Sequence, residues 1–438
     1  MRLGQLLLFW LTSYVLVSCN VTSGSHQPAS TGVKPTAIYH DGKSYHLLRH
    51  GKPYFIKGAG GIRHLEDLKA RGGNSVRIWD DLEAGPILDK AQSLGLTVMF
   101  GLWVEREIEG FDYNDQAAID RQFDLIRKIV LRHRNHPALL MWCVGNEWPL
   151  DANNVRVYDE VNRIATLVHE LDPNHPVTTV ISPDNARAIW LVRKRCPAID
   201  ILSFNSYSLT EYIDKNLRLG GWTKPYLISE YGAQAYWETP NTPWYAPIEP
   251  TSQQKYDYVN RIYRQYIGSR PPNCFGSYLF YWGFKQEETH TWFSAFDEQG
   301  RATSMADLMQ LLWTGKPSPN RAPEAQSLLV DGKDLPYQSY KALSSTHRAR
   351  LLATDPEGDS LMYYWEIRRR AHSIANYVGA PIASMKGLIT NPTGSSIEFR
   401  LPTEPGAYRL FAHAYDNHRH VASANFAFEV TAIEPIQQ

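Results

Sequence analysis

Two glutamates stand where a carboxyl group can do chemistry. Glu147 closes the run MWCVGNE directly after Asn146, and Glu230 stands within PYLISEYGA. Each follows a short, almost continuous apolar segment, the pattern of a strand buried on both faces of a parallel sheet. Cleaving a glycosidic bond with retention of configuration needs one acid to protonate the departing oxygen and one carboxylate to attack the anomeric carbon, held roughly 5 Å apart. Asn-Glu after a Trp-containing strand, joined to Ser-Glu-Tyr-Gly after a later one, points to that reaction. Two buried, ion-paired acids are the alternative.

Such a pair works only if separate elements bring the two acids to one place. Between residues 54 and 314 the apolar periodicity alternates strand with helix eight times, which predicts an α/β fold, a closed (β/α)8 TIM barrel. The strands are expected at residues 54–57, 74–79, 96–104, 138–144, 177–181, 201–205, 226–229 and 275–281. Amphipathic segments such as residues 64–71, 86–94, 115–133, 155–171 and 253–267 lie between them. Residues 38–53, with turns at Asp41-Gly42 and His50-Gly51, read as a hairpin that plugs the barrel floor. In this fold the C-terminal strand ends converge on one mouth, so Glu147 after strand four and Glu230 at the end of strand seven are expected to face each other there.

The blocks RNHPALLMWCVGNEW, DILSFNSYS and KPYLISEYGA resemble strands four, six and seven of the glycoside hydrolase family 2 catalytic barrel, within the wider clan A of retaining β-glycosidases. The resemblance covers about residues 37–314. It implies that Glu147 is the acid/base and Glu230 the nucleophile, that Asn146 holds the sugar 2-hydroxyl, and that Tyr207 lies near the nucleophile. Asn74 and Arg77 match an Asn-x-x-Arg whose arginine sits under the nucleophile, and Trp282 corresponds to an aromatic floor under the bound sugar. Departures from the family are also plain. Its usual two leading β-domains have no counterpart here, Ile-Trp-Asp-Asp follows Arg77, and Gly-Phe-Lys follows strand eight in place of the Asn-x-Lys associated with uronic acids. Glucan-remodelling transglycosidases of the same clan share the Asn-Glu and Glu-Tyr-Gly blocks, so transfer to water or to sugar stays open. A noncatalytic surface glycan-binding protein is a further alternative.

Chemistry assigns the roles independently. Glu147 must carry a proton at working pH, and a nearby carboxylate at Glu230 favours that state. Arg77, if beneath Glu230, offers a charge-assisted hydrogen bond; an ordinary barrel salt bridge is its other reading. Trp103 and its neighbours Glu105 and Trp148 are candidates for lining subsites, as are Trp237, His290 and Trp292 across the mouth.

The ends of the chain speak to location and accessory parts. Met1-Arg2 precedes an apolar stretch at residues 6–17 that ends in Leu-Val-Ser-Cys, so residues 1–18 read as a signal peptide. The motif resembles the bacterial lipobox, which implies lipidation of Cys19 and a tether over residues 19–36. Several acyl chains, each methylene contributing about 0.8 kcal/mol, would anchor the protein stably to a membrane. Asn20 favours the outer membrane or cell surface of the envelope. Basic and acidic residues balance at 45 each, which leaves no field to recruit nucleic acid. Cys143, Cys196 and Cys274 show no paired spacing and read as buried thiols, and the 15 His form no metal-binding signature, so neither metal nor cofactor is expected and the partners are a β-linked carbohydrate and the membrane. The barrel is assigned to residues 37–316 and a Pro-rich linker to 317–326. Short alternating segments over 327–435 predict an immunoglobulin-like β-sandwich. Its ATDPEGDSL stretch resembles cadherin-like and polycystic-kidney-disease-like modules, and Asp355, Glu357 and Asp359 read as a solvated turn rather than a Ca²⁺ site.

Overall fold

The structure, a computed structural model, describes residues 34–342, 345–370 and 382–432. The signal segment, Cys19 and nearly all of the tether lie outside the described residues.

Eight parallel strands close into a barrel: β1 Ile56–Gly60, β2 Ser75–Ile78, β3 Thr97–Leu102, β4 Leu139–Asn146, β5 Val177–Ile181, β6 Ile201–Asn205, β7 Tyr226–Tyr231 and β8 Cys274–Leu279, with β8 paired to β1. The helices are α1 Leu65–Ala70, α2 Ala84–Leu94, α3 Gln116–His133, α4 Arg156–Leu171, α5 Ala186–Arg195, α6 Ile213–Gly220, α7 Ser252–Ile262 and α8 Ser304–Thr314. Sequence chemistry sets their limits. Asp115 caps α3 by accepting from the N–H groups of Ala117 and Ala118, and the helix then buries Ile119, Ile126, Ile129 and Val130 along one face against the barrel. The first barrel strand begins at Ile56 rather than at Tyr54, because Tyr54 closes the hairpin, its N–H donating to Leu47 O.

The expected floor plug is three short strands, Thr36–His40, Tyr45–Arg49 and Lys52–Pro53. Asp41 Oδ1 accepts from the N–H groups of Lys43 and Ser44, and Gly42, at φ 93°, takes the left-handed turn position. Leu47 packs with Ile56, Met99, Met141, Val180, Leu227 and Phe275 inside the barrel, while Arg49 donates to Leu139 O and Pro137 O at the foot of β4. Gly58 is required where it stands: a Cβ there would meet the Tyr278 ring at 2.3 Å.

The C-terminal region forms two sheets around a core of Trp365, Phe399, Tyr408, Phe426 and Phe428. One sheet joins β9 Ala302–Thr303 and β11 Tyr337–Lys341 to β17 His420–Thr431, then β16 Gly406–Tyr415 and β13 Met362–Arg369. The other orders β10 Glu324–Val330, β12 Thr346–Thr354, β15 Ser396–Arg400 and β14 Ile389–Thr390. The β8–α8 loop thus supplies an edge strand to the second domain through β9. The linker expected to run through Gln326 ends earlier, since β10 begins at Glu324. What remains of it is tied down: Asn320 donates to Asp359, Arg321 pairs with Glu357, and Ala322 N–H donates to Asp307 of α8. Among the described residues, Cys143, Cys196 and Cys274 are free and buried.

Candidate active site

Irregular strand ends aim the two acids. Register slips between Cys143 and Asn146 on the β4–β5 pair, and Gly145 takes φ 74°, where a Cβ would meet the Trp148 indole at 2.5 Å. Glu147 follows at φ 50°, its N–H donating to Val180 O at 3.0 Å. A left-handed non-glycine residue at a strand end is an unusual conformation that the surrounding bonds must hold. On β7 a second slip falls between Ile228 and Glu230. Bulges of this kind re-aim a side chain beside a reaction centre.

Glu230, 7% exposed, sits in a cradle of donors. Arg77 Nη1 reaches its Oε1 at 2.7 Å, Trp79 Nε1 reaches the same oxygen at 3.1 Å, and the Tyr207 hydroxyl donates to Oε2 at 3.0 Å. Arg77 is itself fully buried. It also donates to Ser229 O at 2.8 Å and to Asn146 Oδ1 at 2.6 Å. Asn205 completes the net, donating from Nδ2 to Asn146 Oδ1 at 3.1 Å and accepting from Ser229 Oγ at 2.9 Å. Because Asn146 uses its oxygen for both contacts, its amide nitrogen is left to donate to a ligand hydroxyl. The guanidinium and the two neutral donors match a negative charge on Glu230 and fix its orientation.

Glu147 is half-buried and contrasts sharply. Burial first, and then the charge of Glu230, push its carboxyl up to about 7, against an Asn205 hydrogen bond and the positive charges of Arg77 and Arg106. The Tyr207 hydroxyl is driven well above the ordinary phenol range by burial and by Glu230, which keeps it a neutral donor. Two carboxyl groups with opposed environments, one proton-holding and one cradled by donors, have the electrostatics of an acid and a nucleophile.

The structure brings Glu147, Glu230, Asn146, Arg77 and Tyr207 together and separates three other residues from them. Trp282 is only 1% exposed; its indole donates to His64 O and packs on Phe296 and Trp313, so it belongs to the core and cannot carry a sugar. One residue earlier, Tyr281 stacks on Trp79 at the mouth. Asn74 precedes β2 at the foot of the barrel, its side chain bonded to the Lys57 N–H and to Phe55 O, a structural clamp rather than a ligand group. Trp103, just after β3, is half-buried beside Arg106 and lines a groove of about 690 Å³ with Asp80, Phe111 and Leu125; neither acid lines that groove. Trp148, His290 and Trp292 are buried. Trp237, 57% exposed and edge-on to Tyr207 at 5.6 Å, is the open ring at the mouth. Sequence reasoning missed Trp79 and Asn205, although both were visible: Trp79 follows Arg77 by two, and Asn205 precedes Tyr207 by two, the spacing that repeats one face of a strand.

Residues 88–295 match the sequence family described as "Glycosyl hydrolases family 2, TIM barrel domain". That segment holds Asn146, Glu147, Tyr207 and Glu230, and Arg77 precedes it. The β-glucuronidase of Chlorocebus aethiops is 29% identical over 222 residues, which is 43% of this chain and 32% of that protein. The β-galactosidase of Bacteroides ovatus is 25% identical over 202 residues, 38% of this chain and 23% of that protein. This chain therefore spans less than a third of the length of either relative. Among solved structures, the β-D-glucuronidase of Dictyoglomus thermophilum aligns with a TM-score of 0.50 at 19% identity, covering 64% of this chain and 54% of that one, a likeness of fold.

Proposed function

We propose that the protein is a retaining β-glycoside hydrolase acting on oligo- or polysaccharide outside the cytoplasm, held to the envelope through lipid on Cys19. The observation that carries the catalytic part is the asymmetry between the acids: Glu230 is cradled by Arg77, Trp79 and Tyr207, while Glu147 holds its proton to about pH 7. In the first step Glu230 attacks the anomeric carbon as Glu147 delivers its proton to the leaving oxygen. Asn146, through its unspent amide, binds the sugar hydroxyl next to the anomeric centre. Esterification of Glu230 removes the charge that helped raise Glu147, so the Glu147 carboxylate then takes a proton from a water whose oxygen attacks the anomeric carbon and breaks its bond to Glu230. This releases the sugar with its configuration retained and Glu230 as the carboxylate.

The test is chemical rescue. Glu230→Gly should abolish hydrolysis, and azide should restore cleavage of a dinitrophenyl β-glycoside by attacking from the space the carboxylate leaves. A single inversion makes the product the α-glycosyl azide. A variant that keeps most of its activity, or a wild type that first releases an α-configured sugar, ends the retaining mechanism with Glu230 as nucleophile.

A further inference from the structure

The β8–α8 loop carries two charged side chains that double displacement leaves unused. Lys285 Nζ lies 3.4 Å from Glu287 Oε2, with 23% and 14% of the two side chains exposed. The ammonium also lies 5.2 Å from the ring centroid of Phe280 and 5.6 Å from that of Tyr281. These rings form the wall of the reaction centre. Phe280 stands edge-on to Trp79 and Tyr207, and Tyr281 stacks on Trp79. Trp79 and Tyr207 are themselves donors to Glu230. After burial and against Lys285, the charge of Glu230 helps to raise the Glu287 carboxyl, and Glu287 in turn acts on Tyr207. The ring contacts place the pair beside the nucleophile, and the direction of the charge coupling agrees with them.

The pair is held from both sides. Lys285 N–H donates to Ser294 Oγ at 2.9 Å, and that hydroxyl lies 3.2 Å from Lys285 O. Glu287 and Thr289 exchange backbone bonds at 3.1 and 2.7 Å. The next residue, Glu288, is gripped from the second domain by Arg370 at 3.1 Å and Arg409 at 3.7 Å, and His290 meets Glu366 at 3.0 Å. The second domain thus braces the loop.

Among the described residues, three nearby cations are already committed. Arg77 is spent on Glu230, Ser229 O and Asn146, Arg106 pairs with Glu109, and Lys285 pairs with Glu287; a fourth, Arg63, whose charge reaches Tyr281, is exposed to water. An incoming carboxylate would meet two acids, Glu230 and Glu287, and a lysine whose charge is answered. A hydroxyl is better served, since it can accept from the ammonium and donate to the carboxylate at once. We propose that Lys285 and Glu287 form a hydroxyl-binding pair that selects neutral β-hexosides and rejects β-uronides. This specificity rests on the glycosidase reading for its substrate class.

The test compares kcat/KM for 4-nitrophenyl β-glucoside, β-galactoside and β-mannoside with that for the β-glucuronide. The wild type is expected to prefer a neutral sugar. Glu287→Gln keeps the size of the side chain but unpairs Lys285, and should move the neutral-to-uronide ratio toward the uronide by about tenfold or more. A wild type that cleaves the glucuronide as well as or better than every neutral glycoside overturns the proposal, as does a smaller shift in a variant whose melting temperature is unchanged. Calorimetric binding of isofagomine and of its uronic counterpart to the wild type needs no turnover. Tighter binding of the neutral compound supports the pair's role, and equal or weaker binding overturns it. If no aryl glycoside is cleaved, the hydrolytic reading falls while calorimetry still decides the specificity.

Discussion

The proton on Glu147 makes a quantitative demand on the pH dependence of activity. At the ordinary value of 4.5 for a glutamate, roughly one molecule in 300 would be protonated at pH 7, whereas at about 7 roughly half are. Burial and the Glu230 charge therefore raise the fraction of enzyme able to act as an acid at neutral pH by about 150-fold. The protonated form does the work on a poor leaving group, so kcat/KM for a phenyl β-glycoside should bend downward around pH 7 and approach a fall of about tenfold per pH unit beyond about pH 8. Glu147→Gln should remove that alkaline limb and lower kcat/KM on the phenyl glycoside by about 10² to 10⁴, while first-step cleavage of a dinitrophenyl glycoside, whose leaving group needs no proton, changes far less. The same shift has a sign for stability. The folded state binds this proton more tightly than the unfolded chain, so its contribution is full below about pH 4.5 and is lost as pH rises through about 7, which a melting series would register. A limb near pH 7 that survives in Glu147→Gln, or equal losses on both substrates, refutes the assignment.

Arg77→Met should destabilise the fold by about 3–5 kcal/mol in urea denaturation, because it strips the buried Glu230 of its cationic partner. Arg77→Lys should not restore activity, since a single ammonium cannot reproduce the fork to Glu230 and Asn146; a cost below about 1 kcal/mol, the range of surface pairs, would mean that Glu230 does not depend on Arg77. Trp282→Ala is expected to cost about 3–5 kcal/mol with little change in KM. Trp237→Ala should stay within about 0.5 kcal/mol and raise KM; the reverse pattern would return Trp282 to the sugar site. Cys19→Ala should release the protein from the membrane fraction with an unchanged circular dichroism spectrum, and unchanged membrane association would remove the lipid anchor.

A parallel barrel strand is covered on both faces, so its apolar run announces itself locally. That is why runs such as residues 177–181 and 201–205 could be located from the chain alone, and why acids placed just past two of them drew notice. Side-chain direction is a different kind of information. Trp282 and Tyr281 are neighbours, and the backbone that turns one toward Trp79 turns the other into the core. Asn74 belongs to a motif yet lies at the barrel foot, whereas Asn205, part of the DILSFNSYS block but given no role from it, sits between Asn146 and Ser229. Lys285 and Glu287 lie on a loop without periodicity, held by contacts that include arginines over 80 residues away. Composition and spacing thus determined which segments are buried and which acids end them, because burial imposes a local pattern. Tertiary structure alone decided which charges meet and which rings face the mouth, because chain closure and single-residue shifts of register, not local pattern, set those distances.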